Sequence, residues 1–185
     1  MRVIAGSLKG RKFKAVPGKQ TRPTADKVKE SIFQIIGPFF DGGTCLDLFA
    51  GSGSLGIEAM SRGMEQVVFI DKQPKAIHII NENRKTMRIE EETEVFRMDA
   101  FRSLRMLAKN NQRFNLILID PPYEEMDYEK HVKEILIHNL LSKDGIILCE
   151  HDLSNELPSF SQQLVIVKQA NYGSTGITIY QRKHE

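Results

Sequence analysis

Apolar residues in this chain gather into short unbroken runs, and between the runs they recur every three or four residues. The runs predict strands at 44–50, 66–71, 94–98, 115–120 and 145–150, and the periodic stretches predict helices at 54–62, 75–88, 100–109 and 128–140. A strand that is apolar at successive positions is buried on both faces, as the strands of a parallel sheet are. Regular alternation of the two patterns therefore predicts an α/β fold, with a mainly parallel sheet and helices on both of its faces.

The two ends depart from this rhythm. Val3, Ile4 and Ala5 lead through Gly6-Ser7-Leu8-Lys9-Gly10 into Arg11-Lys12-Phe13-Lys14, the pattern of a small N-terminal β-hairpin with a glycine-containing loop. Pro17-Gly18 marks a turn, Thr24 suits the N-cap of a helix with Val28, Ile32, Ile35 and Ile36 on one side, and Gly37-Pro38 closes that helix. At the other end, Leu164 to Lys168 and Ile177 to Tyr180 read as strands joined across Asn171 to Gly176, a C-terminal antiparallel hairpin. Two units are expected, an opening at 1–43 and a main domain at 44–185.

Charge sharpens that division. Residues 1–30 hold nine Lys or Arg against two acids, whereas 31–185 hold 17 against 22. Arg2, Lys9, Arg11, Lys12, Lys14 and Arg22, with Lys19, Lys27 and Lys29, form the expected footprint of a nucleic-acid backbone. Because Pro, Gly and apolar residues organise the block, docking to nucleic acid is favoured over a merely solvated arm. Cys45 and Cys149 lie in strand-like apolar runs and read as buried thiols of a reducing compartment. No apolar run reaches membrane-spanning length and no signal-peptide core opens the sequence, so a cytoplasmic location without a membrane partner is expected.

Two motifs carry chemistry. Asp120-Pro121-Pro122-Tyr123 follows the apolar run Leu116 to Ile119 and would lie beyond the carboxyl end of a buried strand, where open α/β sheets bind ligands. An exocyclic amino group is a poor nucleophile because its lone pair is delocalised into the ring, so a catalyst must hold it with acceptors that favour a more tetrahedral nitrogen. Asp120 supplies one acceptor, and the Pro121 carbonyl, in a turn stiffened by two prolines, supplies another. Tyr123 can stack on the base.

The second motif, Cys45 to Gly56, is a strand, a glycine loop and a helix start with the spacing GxGxxG, and Asp71 follows Gly51 by 20 residues. NAD and S-adenosylmethionine compete for such a loop. NAD would place a pyrophosphate on the helix N-terminus, which Asp47 would repel; S-adenosylmethionine has no phosphate and carries an ammonium and a sulfonium. The charge of Asp47 and the Asp-Pro-Pro-Tyr turn both favour the second. Gly51 and Gly53 would let the backbone approach the cofactor, Asp71 would accept from the ribose hydroxyls, and Asp99, with the Ala100 N–H, would meet the adenine. Asp71 and Asp99 each precede a helix, so an N-cap role competes with the ligand role at both. Glu150, closing the fifth strand, reads as a strand-end cap in preference to a rim acid. His78, His131, His138, His151 and His184 show no metal-ligand spacing and read as surface or helix residues, so no metal is expected. Met60, Met64, Met87, Met98 and Met106 read as core filling.

With Thr21-Arg22-Pro23-Thr24, the opening Arg2 to Gly6 and Gly10 to Lys12, Gly56 to Ala59, Ser61 to Gly63 and Tyr172 to Thr175, these motifs make the chain resemble the RsmD family of bacterial 16S rRNA guanine-N2 methyltransferases. The resemblance covers nearly the whole chain. It implies a Rossmann-like, class I S-adenosylmethionine-dependent methyltransferase fold and methyl transfer to guanine N2 of 16S rRNA, within the small ribosomal subunit or its assembly intermediate. By position, it implies that Asp47, Phe49, Ala50, Gly51, Gly53, Asp71, Lys72, Asp99 and Ala100 hold the cofactor, with Thr24 near its methionine end. Asp120, Pro121, Pro122 and Tyr123 would hold the base, and the opening would dock RNA and cover the cofactor site. The same turn also serves adenine-N6 and glutamine-N5 methylation, so guanine comes from the resemblance. A DNA adenine-N6 methyltransferase and a non-catalytic rRNA-binding assembly factor are the alternative readings.

Overall fold

A computed structural model describes residues 1–18, 23–122 and 127–184, and of residues 23–25 the backbone alone. Its elements are α1 (Pro23–Ile36), β1 (Thr44–Asp47), α2 (Ser54–Ser61), β2 (Gln66–Asp71), α3 (Pro74–Met87), β3 (Thr93–Arg97), α4 (Ala100–Lys109), β4 (Phe114–Ile119), α5 (Tyr128–Ile137), β5 (Leu141–Asp152), β6 (Leu164–Tyr172) and β7 (Thr175–Arg182). They form one seven-stranded sheet of order β3-β2-β1-β4-β5-β7-β6. β1 to β5 pair in parallel, and β7 runs antiparallel to both β5 and β6. The strand order reverses between β1 and β4, which opens a crevice beyond their carboxyl ends.

Successive apolar residues serve opposite faces. Leu116 and Leu118 of β4 pack with Ile32 and Phe33 of α1, Ile57 of α2 and Ile80 of α3, whereas Ile117 and Ile119 pack with Leu104 of α4 and Val132 of α5. This is why the fourth strand shows no polar alternation. Among the described residues no helix is long and apolar enough to cross a membrane.

The strand limits differ from the sequence pattern where pairing decides them. β1 ends at Asp47, three residues early, because Leu48 to Ala50 turn into the glycine loop; the Leu48 N–H still reaches Leu118 O at 3.1 Å and the Ala50 N–H reaches Ile70 O at 2.9 Å. α5 stops at Ile137, where Asn139 takes a left-handed φ of 53° and the Leu140 N–H returns to Ile135 O. β5 is longer than expected at both ends, because Leu141 pairs with Phe114 of β4 and the register with β7 continues to Asp152↔Thr175. The β6–β7 ladder extends to Tyr172↔Thr175, so Gly173-Ser174 alone make the turn. α1 begins at Pro23, which places Thr24 inside the helix and not at its cap.

The opening forms a hairpin with a single bridge, Arg2↔Lys12, and it is not a free arm. Val3 and Phe13 are buried in the same cluster as α1 to α3 and the sheet. Glu58 of α2, fully buried, accepts from the Ile4 N–H at 2.9 Å and the Ala5 N–H at 3.0 Å. Arg62 Nε donates to the same carboxylate at 2.9 Å, and Lys29 Nζ lies 3.5 Å from it. Lys29 is therefore removed from the basic surface: it is buried, and desolvation lowers its pKa against the pull of Glu58. Gly6 makes the closest approach, with φ of +88° and the site of a Cβ only 1.7 Å from Ser61 O. No side chain fits there.

Candidate active site

The crevice at the strand reversal holds a cavity of about 350 Å³, within the usual range for small-ligand sites. Leu48, Phe49 and Gly51 of the glycine loop line it, with Asp71 at the end of β2, Lys72 and Gln73 after it, Ala76 of α3, Met98 and Asp99 between β3 and α4, and Ala100 at the start of α4. Asp120 and Pro122 close it on the β4 side, and Val16, from the opening, completes the wall.

Local hydrogen bonds fix this lining. Asp71 Oδ2 accepts from the Gly51 N–H at 2.9 Å and its Oδ1 from the Gln73 N–H at 2.8 Å, so one carboxylate ties the glycine loop to the start of α3. Each carboxylate oxygen has a second lone pair, which leaves acceptor capacity for a ligand hydroxyl. Asp99 caps α4 through the Arg102 N–H at 3.2 Å and also lines the cavity, so its two competing roles coexist. Gly53, at φ 83°, turns the chain into α2.

Asp47 sits elsewhere. Fully buried beneath the loop, it accepts from the Gly56 N–H at 3.0 Å and is not part of the cavity lining. Burial pushes its carboxyl up to about 7, with Asp120 and Asp71 adding to the shift and the Gly56 N–H opposing it. The structure thus brings Phe49, Gly51, Asp71, Lys72, Asp99, Ala100, Asp120 and Pro122 together around the cavity, and sets Asp47, Ala50, Gly53 and Pro121 behind it or beside it. Thr24 is placed by its backbone in α1, while Arg22 and Tyr123 lie outside the described residues.

Several residues of the site carry no sequence signal. Val16, Leu48 and Gln73 are ordinary loop or wall residues until the fold gathers them, and Met98 lines the cavity where core filling was expected. His131 is buried, stacked on Phe101 at 4.1 Å between ring centroids and edge-on to Phe49 at 5.2 Å, so it backs the cavity wall. Desolvation lowers its pKa, and its Nδ1 lies 2.6 Å from Asp127 O. His151 is likewise buried, in β5, with Nε2 3.0 Å from Thr178 Oγ1. His131 is a helix residue, as expected, though a buried one, whereas His151, buried in a strand, is neither a surface nor a helix residue. Glu150 lies inside β5 and not at its end, next to Asp120 across the sheet.

Residues 1–181 match the protein family described as Conserved hypothetical protein 95. Over 98% of this chain and 93% of its own length, the Haemophilus influenzae protein named Ribosomal RNA small subunit methyltransferase D is 30% identical. The chain belongs to the RsmD family. This RsmD family member is also 50% identical to YlbH of Bacillus subtilis, across 99% of this chain and 100% of that protein. Among solved structures, yhhF of Escherichia coli superposes with a TM-score of 0.85 at 28% identity, covering 100% of this chain and 99% of that one. The fold of the RsmD family member is accordingly a class I methyltransferase fold, a mainly parallel sheet closed by an antiparallel hairpin.

Proposed function

We propose that this RsmD family member transfers the methyl group of S-adenosylmethionine to the exocyclic N2 of a guanine in small-subunit rRNA. The observation that carries the reading is the convergence of three carboxylates, Asp71, Asp99 and Asp120, on one cavity at the strand reversal. Three acids against the single ammonium of Lys72 disfavour a pyrophosphate and suit a ligand bearing an ammonium and a sulfonium. Relatives named for small-subunit rRNA methylation support rRNA as the acceptor; that it is met within the subunit or its assembly intermediate is part of the proposal.

When bound, S-adenosylmethionine supplies an electrophilic methyl group. The residues of this chain do the rest. Asp71 and Asp99 anchor the cofactor's ribose and adenine, beside Lys72 and the Ala100 N–H. Asp120 and the Pro121 carbonyl accept the two amino hydrogens of the guanine, while Pro122 and Tyr123 bound the base. Fixing that nitrogen in line with the donor supplies much of the rate. Residues 1–43 dock the RNA and 44–185 carry out the transfer, although Val3 and Phe13 make the two a single packed unit.

The test uses small subunits from a strain lacking the modification, labelled cofactor and a nucleoside digest. Label in N2-methylguanosine is the expected result; label on adenine overturns the choice of base. Asp71→Ala should weaken cofactor binding by about 1.5–3 kcal/mol, the worth of hydrogen bonds to a charged group, and calorimetry that finds unchanged affinity removes Asp71 from the site.

Among the basic residues of the opening, Lys9 and Lys12 are exposed and make no ion pair among the described residues. Arg2 pairs with Asp26 at 3.2 Å, Lys14 with Glu82 at 3.0 Å, and Arg11 donates to the Thr86 and Met87 carbonyls. Lys9→Gln with Lys12→Gln should therefore weaken RNA binding and flatten the log–log dependence of affinity on salt by about 1.4–2, one phosphate contact for each lysine. A salt titration with an unchanged slope assigns the docking to other residues.

A further inference from the structure

The parallel register of β4 and β5 pairs Ile119 with Cys149, which sets Asp120 beside Glu150. Leu118 and Leu148, two residues before each acid, share the core on the α1–α3 side, so both acids project toward that side of the sheet. Of the two, Asp120 lines the cavity. Glu150 is mostly buried, and among the described residues its recorded hydrogen bond is made by its backbone: Tyr128 Oη donates to Glu150 O at 2.7 Å and fixes this stretch of β5. Its carboxyl takes no donor from them. Asp47, on β1 beyond Asp120, differs in that the Gly56 N–H already occupies it.

We propose that Glu150 is a second residue facing the acceptor base: while Asp120 takes the amino hydrogens, the Glu150 carboxyl takes the ring edge next to that amino group. The inference rests on the guanine reading given above. Burial first, and then the charge of Asp120, push the Glu150 carboxyl well above the ordinary carboxylate range. A neutral carboxyl offers one O–H donor and one carbonyl acceptor, whereas an ionised one only accepts. Beside N2, guanine presents N1–H and then O6, a donor followed by an acceptor. The neutral acid matches this edge with two hydrogen bonds, N1–H to its carbonyl and its O–H to O6. Two acids side by side at the ends of neighbouring strands thus divide the work, Asp120 from the cavity wall holding the reacting nitrogen and Glu150 beside it reading the ring.

An amide in place of the acid keeps one donor and one acceptor, so Glu150→Gln should methylate subunits within about threefold of the wild-type kcat/KM. Glu150→Leu keeps bulk but loses both groups, and its kcat/KM for subunits should fall about tenfold or more while calorimetric affinity for S-adenosylmethionine stays unchanged. If leucine disturbs the fold, seen as lost cofactor affinity, Glu150→Ser carries the same expectation. With wild-type transfer to guanine N2 shown in the same digest, a leucine or serine variant within threefold of wild type overturns the proposal. So does a glutamine variant as impaired as leucine, because it would show that a negative charge is needed. A wild-type enzyme that modifies another base overturns the guanine reading itself, and this inference with it.

Discussion

Asp120→Ala should lower the turnover of rRNA methylation by about a hundredfold or more and leave the affinity for S-adenosylmethionine within a few-fold of wild type. The asymmetry follows from position. Asp120 closes the β4 side of the cavity, while Asp71 and Asp99, the proposed cofactor anchors, stand on the β2 and β3 side. A hydrogen bond to the amino group strengthens as the nitrogen rehybridises, so its loss falls on the transition state more than on either bound ligand. Asp120→Asn is the sharper variant, since an amide keeps an acceptor oxygen but no charge. Partial activity would make Asp120 chiefly a positioning group; complete loss would make its charge, or its capacity for a proton, part of the reaction. Single-turnover rates at saturating cofactor separate these outcomes, and a wild-type rate in the alanine variant removes the turn from the mechanism.

The second large effect concerns stability. Glu58→Ala should destabilise the fold by about 3–5 kcal/mol, the cost of leaving buried cations without their counter-charge. For a chain of this size that corresponds to a fall in Tm of roughly 6–20 °C. The carboxylate holds Lys29, Arg62 and the N–H groups of Ile4 and Ala5, and Arg62 Nη2 is already without a partner among the described residues, so little remains to take up the released donors. Thermal unfolding followed by circular dichroism checks this, and a Tm within 2 °C of wild type would show that water or repacking replaces the anion. The same contacts make truncation of the opening a poor probe of RNA docking. Removing Val3 and Phe13 strips the core as well as the charge.

What the sequence disclosed depended on whether the deciding partner was near or far along the chain. The run Leu116 to Ile119 and the loop from Asp47 to Gly56 are local patterns, and β4 and the turn into α2 follow them closely. Glu58 and Arg62 also form a legible pair, one helical turn apart, yet that spacing ordinarily marks a solvated face. Their burial is imposed by Lys29 and by the Ile4 and Ala5 amides, which no periodicity connects to α2. Glu150 was obscured in the same way. Its neighbour Asp120 is 30 residues upstream, and only the β4–β5 register brings the two together. His131 reads as one polar position of an amphipathic helix until Phe49 and Phe101 close over it.

The docking of the opening onto α2 also orders events in time. Ile4 and Ala5 wait for a carboxylate that lies 54 and 53 residues further along the chain. At ordinary synthesis rates of about 5–20 residues per second, that is a delay of roughly 3–11 s. During it the basic run emerges without its anchor, a flexible polycation beside the ribosome's own RNA, able to make only salt-sensitive, sequence-independent contacts. The contacts that hold the hairpin in place can form only once α2 has been made, so in the proposed RNA-docking role a chain stalled or truncated before α2 would carry the charge without the shape.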